Sequence, residues 1–245
     1  NNEDSVAYEE QARLAVLADG MGGYNAGEIA SGMATAFLKS ELSRWLLEVG
    51  GSAPAKEVRR AMEICVDNAN TAIFNSANSN ASYTGMGTTL VVGVFREDRL
   101  LLGHIGDSRC YRLRGGQLTQ ITKDHSLLQE QIDAGLITPE QAVGSSIKNL
   151  VTRALGVEEV VALDVNEHAV EPNDTYLMCS DGLSDMVNDE VIARILSEDT
   201  GLALKAEMLV AAANENGGRD NISVLIVAAS DAMERKGLFA RLLGK

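Results

Sequence analysis

Apolar residues recur every three or four positions in three stretches of the chain, which is the period of an amphipathic α-helix. The stretches contain Ile29, Met33 and Phe37; Val58, Met62, Cys65, Ala69 and Ile73; and Leu202, Ala206, Leu209 and Ala213. Each repeat places its apolar side chains on one face. The pattern therefore predicts three helices that each pack one face against a core.

Seven shorter runs of mainly apolar residues predict β-strands. The runs are 13–18, 88–95, 100–105, 110–113, 160–165, 175–179 and 222–228. Turn signals at 96–99 and 114–116 separate successive strands in the middle of the chain, so we expect antiparallel hairpins there. Because the strands are clustered and do not alternate strictly with helices, the pattern predicts an α+β fold with helices covering antiparallel sheets.

The chain has 245 residues, of which 45% are hydrophobic, and this suits a single domain over 1–245 with room for a two-sheet core. Residues 124–149 are polar, helical in pattern and inserted between β-rich blocks, which predicts a mobile flap. Residues 235–245 are basic with four apolar side chains, a pattern typical of an amphipathic closing helix packed on the body.

The net charge of −14 argues against a broad affinity for nucleic acid or for an anionic membrane, since both require a positive surface. No apolar stretch approaches the roughly 20 residues of a membrane span, and no charged-then-apolar leader opens the sequence. Cys65, Cys110 and Cys179 are far apart and form no CxxC pair. We therefore expect a cytoplasmic protein with buried thiols.

Four acidic residues stand beside apolar runs and small residues. They are Asp19, Asp107, Asp181 and Asp220. In the first three cases a buried strand ends at the acid, and the following Gly or Ser allows a tight turn. Asp220 comes just before the run 222–228. Acids at strand ends can converge on one edge of a pair of sheets, although a single Asp-Gly pair is more often an ordinary turn.

Carboxylate oxygens are the ligands that Mg²⁺ and Mn²⁺ prefer. The sequence has no HxxxH or HxH pair, and His104, His125 and His168 are isolated along the chain, so Zn²⁺ is disfavoured. A Ser-His-Asp hydrolase lacks its GxSxG motif, and the Gly-rich run 19–23 lacks the Walker lysine and the GxGxxG spacing. The candidate chemistry is therefore that of a carboxylate-bound divalent cation.

Taken together, nine short segments resemble the metal-dependent protein phosphatases of the protein phosphatase 2C type, especially their compact bacterial members. The segments are 2–5, 18–23, 26–31, 85–89, 106–109, 124–126, 152–156, 180–183 and 218–221. They follow the order of the family and run from residue 2 to 221. The resemblance implies a four-layer α-β-β-α sandwich, in which helix pairs flank two central antiparallel sheets.

The resemblance also implies two tightly bound Mn²⁺ or Mg²⁺ ions and allows a third, weaker one. Asp19 would bridge the tight pair, with the Gly20 carbonyl on one ion and Asp181 and Asp220 on the other. Asp107, together with Asp181, matches the ligands of the third ion in bacterial members. The metals would activate water for in-line attack on phosphorus without a covalent intermediate.

Glu3 and Asp4 match acids that hold water in the metal's hydration shell, so the resemblance places them in the catalytic group with the three aspartates of the tight pair. It implies hydrolysis of phosphoserine and phosphothreonine in proteins, with substrates phosphorylated by a bacterial serine/threonine kinase. Two other interpretations stay open. One is a catalytically weak regulatory domain that binds phosphoprotein or metal, and the other is an enzyme acting on small phosphorylated metabolites.

The sequence departs from the family pattern in two places. The family's phosphate-binding arginine stands three residues before the position of Asn2, which lies ahead of Asn1 in this sequence. Bacterial relatives often carry His where this chain has Tyr24, and His-Pro in the flap where it has Ser145 and Ser146. We expect Tyr24 to shape the rim of the site while metal-held water donates the proton.

Overall fold

The computed structural model describes residues 1–23, 26–96, 98–142 and 150–229. It confirms the α+β prediction, because two antiparallel sheets lie face to face and helices cover both outer faces. Within these four ranges, no helix has both the length and the hydropathy that a membrane span requires.

The first sheet has six strands, and all of its pairings are antiparallel. The strands are β1 (Asp4–Glu9), β2 (Leu14–Met21), β3 (Gly87–Thr88), β4 (Leu90–Phe95), β5 (Arg99–Ile105) and β8 (Asp164–Ala169). Their order across the sheet is β1-β2-β4-β5-β8, and the short β3 pairs with the end of β2. The predicted hairpin at 96–99 is confirmed by the antiparallel pair β4–β5.

The second sheet has four antiparallel strands in the order β10-β9-β6-β7. They are β6 (Arg109–Arg114), β7 (Gln117–Gln120), β9 (Thr175–Cys179) and β10 (Val224–Ala228). The pair β6–β7 confirms the second predicted hairpin. Tyr176 and Met178 of this sheet pack against Leu17 and Leu102 of the first, so the two sheets share one interior.

Helices form the outer layers. On the first sheet lie α1 (Ala26–Phe37), a π-helical segment (Leu38–Leu42), α2 (Ser43–Val49) and α3 (Ala55–Ser79), followed by a 3₁₀ turn (Ala81–Tyr83). On the second lie α6 (Asp181–Ser184), α7 (Asp189–Ser197) and α8 (Leu202–Glu215). The helices predicted around residues 29–37, 58–73 and 202–213 are thus confirmed as α1, α3 and α8.

The alternation of side chains along strand β2 determines which way Asp19 faces. Side chains of a strand alternate between its two faces. Val16 and Ala18 pack toward the helices, whereas Ala15 and Leu17 pack toward the second sheet. Both faces are buried, which explains the unbroken apolar run. The next side chain on the inter-sheet face belongs to Asp19, where the apolar run ends.

The predicted strand 160–165 is wrong over most of its length, because β8 begins only at Asp164 and continues to Ala169. Val161 and Leu163 are apolar because they pack on the first core from a connecting segment. β8 itself lies at the edge of its sheet and is polar, as expected for a strand with limited burial. The edge strand β1, in which half of the residues are polar, was not predicted for the same reason.

The flap region contains α4 (Leu127–Asp133) and α5 (Pro139–Ala142), so its helical pattern is confirmed where the structure describes it. α4 begins with an N-cap, because the Ser126 hydroxyl accepts a hydrogen bond from the Gln129 amide at 3.2 Å. Residues 143–149, Tyr24 and the predicted helix 235–245 lie outside the described residues.

Candidate metal centre

Asp19 and Asp4 face each other across two neighbouring strands. They are directly paired in the antiparallel register of β1 and β2, which places their side chains on the same face. The Asp19 backbone is held on both sides: its amide donates to the Thr89 hydroxyl at 3.0 Å, and its carbonyl accepts from the Thr88 hydroxyl at 2.9 Å. The paired carboxylates therefore sit on a rigid sheet.

Gly20 lies where three segments of backbone meet. Its amide donates to the Glu3 carbonyl at 3.0 Å, and Ser31 of α1 donates to the same carbonyl at 2.6 Å. A β-carbon at Gly20 would collide with the carbonyl oxygen of Gly27 and approach that of Glu3 to 2.6 Å. Only glycine at position 20 therefore allows the backbone at Glu3 and Gly27 to pack this closely beside Asp19.

Asp181 enters the site from the second sheet, immediately after β9. Ser180 precedes it and donates to Asp4 Oδ2 at 2.8 Å, which ties the two sheets together at the site. A β-carbon at Gly182 would collide with the carbonyl oxygen of Asn221, so the Asp-Gly pair also permits a close backbone approach here. Asn221 in turn accepts the Glu3 amide on Oδ1 at 2.6 Å.

Asp107 follows β5 and is 7% exposed. Its neighbour Ser108 shares a 2.7 Å hydrogen bond with the Thr89 hydroxyl, the same hydroxyl that accepts the Asp19 amide. Asp220 is exposed and stands next to Asn221. The four predicted aspartates thus come from three strand ends and one loop.

These acids act on one another electrostatically. Burial raises the pKa of Asp19 to about 10, and the negative charges of Asp4, Asp181, Asp107 and Asp220 add to the effect. Burial and neighbouring acids likewise raise the pKa of Asp107 to about 7 and that of Asp181 to about 6. The register of β1 and β2 and the Ser180–Asp4 hydrogen bond bring Asp4, Asp19 and Asp181 together, and these pKa shifts agree with Asp107 and Asp220 lying close to them.

Glu3 and Asp4 belong to the same cluster. Burial and the nearby acids Asp220, Glu28 and Asp4 raise the pKa of Glu3, against the opposing effect of the amino group of residue 1. Burial also raises the pKa of Asp4 despite hydrogen bonds from Ser180 and Ser223. Packing several partly buried carboxylates together is costly unless a cation offsets their charge.

Two carboxylate oxygens are available to a cation or to the water around it. Among the described residues, Asp4 Oδ1 and Asp181 Oδ1 are buried and have no hydrogen-bond partner. Buried acceptors are nearly always satisfied, so an orphaned pair within one acidic cluster calls for a ligand. A hard divalent cation with its hydration water matches this all-oxygen donor set.

Several supporting residues were not predicted as part of the site. The Ser180 side chain bonds to the Asp4 carboxylate, and the side chains of Asn221, Thr88 and Thr89 bond to the backbone of Glu3 and Asp19. Ser180 and Asn221 are direct neighbours of predicted acids, which was the available signal in the sequence. Their partners lie far away along the chain, so spacing alone could not reveal the contacts.

A second cluster corrects the view that the histidines are isolated. The rings of His104 and His125 are stacked with centroids 4.7 Å apart, and Asp164 joins them so that the possible ligand atoms lie within 4.8 Å of one another. The Arg153 guanidinium already occupies this place: its Nη1 lies 2.9 Å from Asp164 Oδ1 and 3.2 Å from His125 Nε2. We therefore interpret the cluster as a hydrogen-bonded network that an arginine neutralises.

Comparisons with known proteins agree with the fold and identify the family. The sequence model of the family described as Protein phosphatase 2C matches residues 1–213. The serine/threonine phosphatase stp of Listeria innocua is 36% identical over 229 residues, covering 93% of this chain and 89% of that protein. The crystal structure of the Mycobacterium tuberculosis serine/threonine phosphatase PstP/Ppp is 41% identical with a TM-score of 0.83, covering 94% of this chain and 92% of that one.

A further solved structure contains metal. It is the catalytic domain of the serine/threonine protein phosphatase PstP in complex with two manganese ions. It is 42% identical with a TM-score of 0.80, and the match covers 94% of this chain and 91% of that chain.

Proposed function

Because the chain belongs to the protein phosphatase 2C family, we infer that it is a metal-dependent serine/threonine protein phosphatase that hydrolyses phosphoserine and phosphothreonine. The observation that carries this conclusion is the cluster of mutually repelling carboxylates with two orphaned buried oxygens. Such a cluster fits divalent cations, and Mn²⁺ or Mg²⁺ suits its oxygen donors.

We assign the tight metal pair to four residues. Asp19 would bridge the two ions, the Gly20 carbonyl would bind one, and Asp181 and Asp220 would bind the other. When bound, the ions lower the pKa of a water molecule and neutralise charge on the phosphoryl oxygens. The central and buried position of Asp19 among the other acids supports the bridging role. The exposed position of Asp220 leaves an open side toward solvent, from which a phosphate can approach.

Glu3 and Asp4 are assigned to hold water next to the metals. Ser180 satisfies Asp4 Oδ2, so Oδ1 is the oxygen that can accept from water. The Glu3 backbone is fixed by Asn221 and Gly20, which leaves its carboxylate as the adjustable part. Asp107, with Asp181, is assigned to a third and weaker ion, in keeping with its burial beside Asp181.

The substrates are proposed to be phosphoproteins, and the opposing enzyme a bacterial serine/threonine kinase. The net charge of −14 makes nucleic acid an improbable partner. The described cysteines are free and buried, which supports a reducing cytoplasmic location. We treat residues 1–245 as one catalytic domain, since both sheets share one interior.

The test is turnover of a phosphothreonine peptide by the purified chain with Mn²⁺, with Mg²⁺ and with a chelator. We expect turnover that needs a divalent ion and is lost in Asp19→Asn. The matched control is Asp67→Asn on α3, an exposed aspartate remote from the cluster, which should retain full activity. Metal binding without turnover would instead indicate a regulatory domain.

A further inference from the structure

His125 stands at the start of the flap and pairs with Gly106 in both directions. The His125 amide donates to the Gly106 carbonyl at 2.9 Å, and the Gly106 amide donates to His125 Nδ1 at 3.0 Å. The imidazole is buried, with 9% of the residue exposed. Nδ1 therefore satisfies a buried backbone donor that water does not reach.

The rest of the network fixes the ring's tautomer. Because Nδ1 accepts a hydrogen bond, the ring proton lies on Nε2, which is 3.0 Å from Asp164 Oδ2. Arg153 holds the other oxygen of Asp164 at 2.9 Å and also donates to the Ala162 carbonyl at 3.3 Å. Burial lowers the pKa of His125, which favours the same neutral form. Asp164 and Arg153 thus keep Nδ1 available as an acceptor.

Asp107 directly follows Gly106, the residue whose backbone is hydrogen-bonded to His125. Gly106 has a φ of +97°, and a β-carbon there would come within 2.7 Å of the Thr89 side chain. The turn is therefore confined by Thr89 on one side and by the imidazole on the other. Its conformation determines where the next side chain, Asp107, points.

The residue before His125 holds the other flank of the same turn. Asp124 accepts hydrogen bonds from Arg109 Nε at 3.0 Å and from Arg109 Nη2 at 2.7 Å. Arg109 lies two residues after Asp107. Two consecutive residues at the base of the flap therefore bracket Asp107, one through a backbone amide and one through a salt bridge.

We propose that His125 is a positioning residue for Asp107: its Nδ1 fixes the Gly106 amide and thereby aims the Asp107 carboxylate at the weaker divalent ion. This inference rests on the function proposed above. Groups that orient a metal ligand without touching the metal commonly alter affinity or activity by about 10- to 100-fold when they are removed. His125 itself touches neither metal nor substrate in this proposal.

Two substitutions distinguish the Nδ1 contact with Gly106 from the Nε2 contact with Asp164. Asn places its amide oxygen near the position of Nδ1 and loses the contact with Asp164, whereas Gln reaches toward the position of Nε2 and loses the acceptor for Gly106. His125→Gln should weaken Mn²⁺ binding at the weak site by about tenfold or more while the tight pair is retained. His125→Asn should recover most of that affinity. Binding is measured from the EPR signal of free Mn²⁺.

A merely structural role predicts a different result, in which both variants change Mn²⁺ binding equally. The control for general destabilisation is Arg114→Met, which breaks the ion pair between the partly exposed Arg114 and the buried Asp174, at the other end of strand β6. It should leave the affinity of the weak site unchanged. Equal effects of Asn and Gln, or an effect of Arg114→Met, would overturn the proposal.

A second readout needs neither metal nor turnover. Hydrogen exchange of the Gly106 amide in the metal-free protein should be slow in the wild type and in His125→Asn, and at least about tenfold faster in His125→Gln. Should His125→Gln fail to fold, ¹⁵N spectra of the wild-type ring decide, because a protonated Nδ1 contradicts the proposal. If the wild type shows no phosphatase activity, the proposed function fails, and these measurements still test the grip on Gly106.

Discussion

An aspartate lies next to each end of strand β9, and the two aspartates have opposite electrostatic surroundings. Asp174, just before the strand, has a fully buried side chain that accepts two hydrogen bonds from Arg114, one from Tyr176 and one from the Glu171 amide. Asp181, just after the strand, is surrounded by other acids and keeps one buried oxygen without a partner among the described residues.

The pKa values follow this difference. Burial alone would raise the pKa of Asp174, but the hydrogen bonds from Arg114, the Glu171 amide and Tyr176 outweigh it and hold the pKa below its usual range. At Asp181, burial and the neighbouring acids both raise the pKa. The protein supplies its own cation at one end and leaves the charge uncompensated at the other. The uncompensated end is the one that we assign to an external cation.

The largest effect on turnover is expected when a negative charge is removed from the acidic end of β9. Asp19→Asn or Asp181→Asn should lower turnover by well over about 10²-fold, the size of effect seen when one preorganised electrostatic element is lost. The same changes should raise the melting temperature of the metal-free protein, because they relieve repulsion. Turnover and calorimetry measure the two effects. Normal activity of Asp181→Asn at saturating Mn²⁺ would contradict the metal assignment.

The reverse experiment removes the cation from the other end. Arg114→Met should lower the free energy of unfolding by about 2 kcal/mol, less than for a fully buried pair because Arg114 is partly exposed and Asp174 keeps two other donors. Turnover at 25 °C should not change. Arg60→Met, which breaks an exposed pair with Glu63, is the control and should cost less than about 1 kcal/mol. Urea unfolding measures the free energy of unfolding of both variants. Equal losses in the two would contradict the claim that Arg114 compensates a buried charge.

A smaller effect is expected at the edge of the acidic cluster. Asp107→Ala should retain two bound ions by elemental analysis while turnover falls by about tenfold, equivalent to about 1.4 kcal/mol, because only the weaker ion loses a ligand. Fewer than two bound ions, or an unchanged rate, would show that Asp107 has another role.

The smallest effect concerns pH. Asp19, Asp107 and Asp181 have pKa values of about 10, 7 and 6 in the fold, all above the usual 3.8. The folded metal-free protein thus binds more protons than the unfolded chain between about pH 4 and those values, and its stability falls as pH rises. Its melting temperature should drop by about 3 °C or more from about pH 5 to about pH 8.

Saturating Mn²⁺ should reverse that trend, since the ion binds the ionised carboxylates and competes with protons. Asp174 has a lowered pKa and stays ionised throughout this window, so it contributes little to the slope. A melting temperature that rises with pH in the metal-free protein would mean that these acids are already ionised without repulsion.

Buried strands and the acids at their ends were predictable from the sequence. Central strands such as β2 are apolar on both faces, so their ends are visible as the first polar residue. Edge strands that contain many polar residues carry a weaker signal: β1 has equal numbers of polar and apolar residues and was missed, and β8 was placed too early because neighbouring apolar residues pack on the core from a loop. The edge strand β10 is apolar, and it was predicted.

Contacts between distant side chains were beyond prediction. The Ser180 hydroxyl bonds to Asp4 across 176 positions, and His125 meets the Gly106 amide across 19. No local period or spacing encodes such pairs. Asp19, Asp107, Asp181 and Asp220 were predictable because their position relative to an apolar run is local, whereas Glu3 and Asp4 were identified only through the family resemblance.

The hydrogen bond from the Glu3 amide to Asn221 joins residues 218 positions apart. During synthesis, the first residues of the site leave the ribosome long before the last. Contacts between residues so distant in sequence form late and slow the folding reaction. The acids near the start of the chain must therefore wait, without their partners, until Asp220 and Asn221 emerge. If Asp220 holds one of the paired ions as proposed, a nascent chain truncated before these residues should bind no paired ions and should show no turnover.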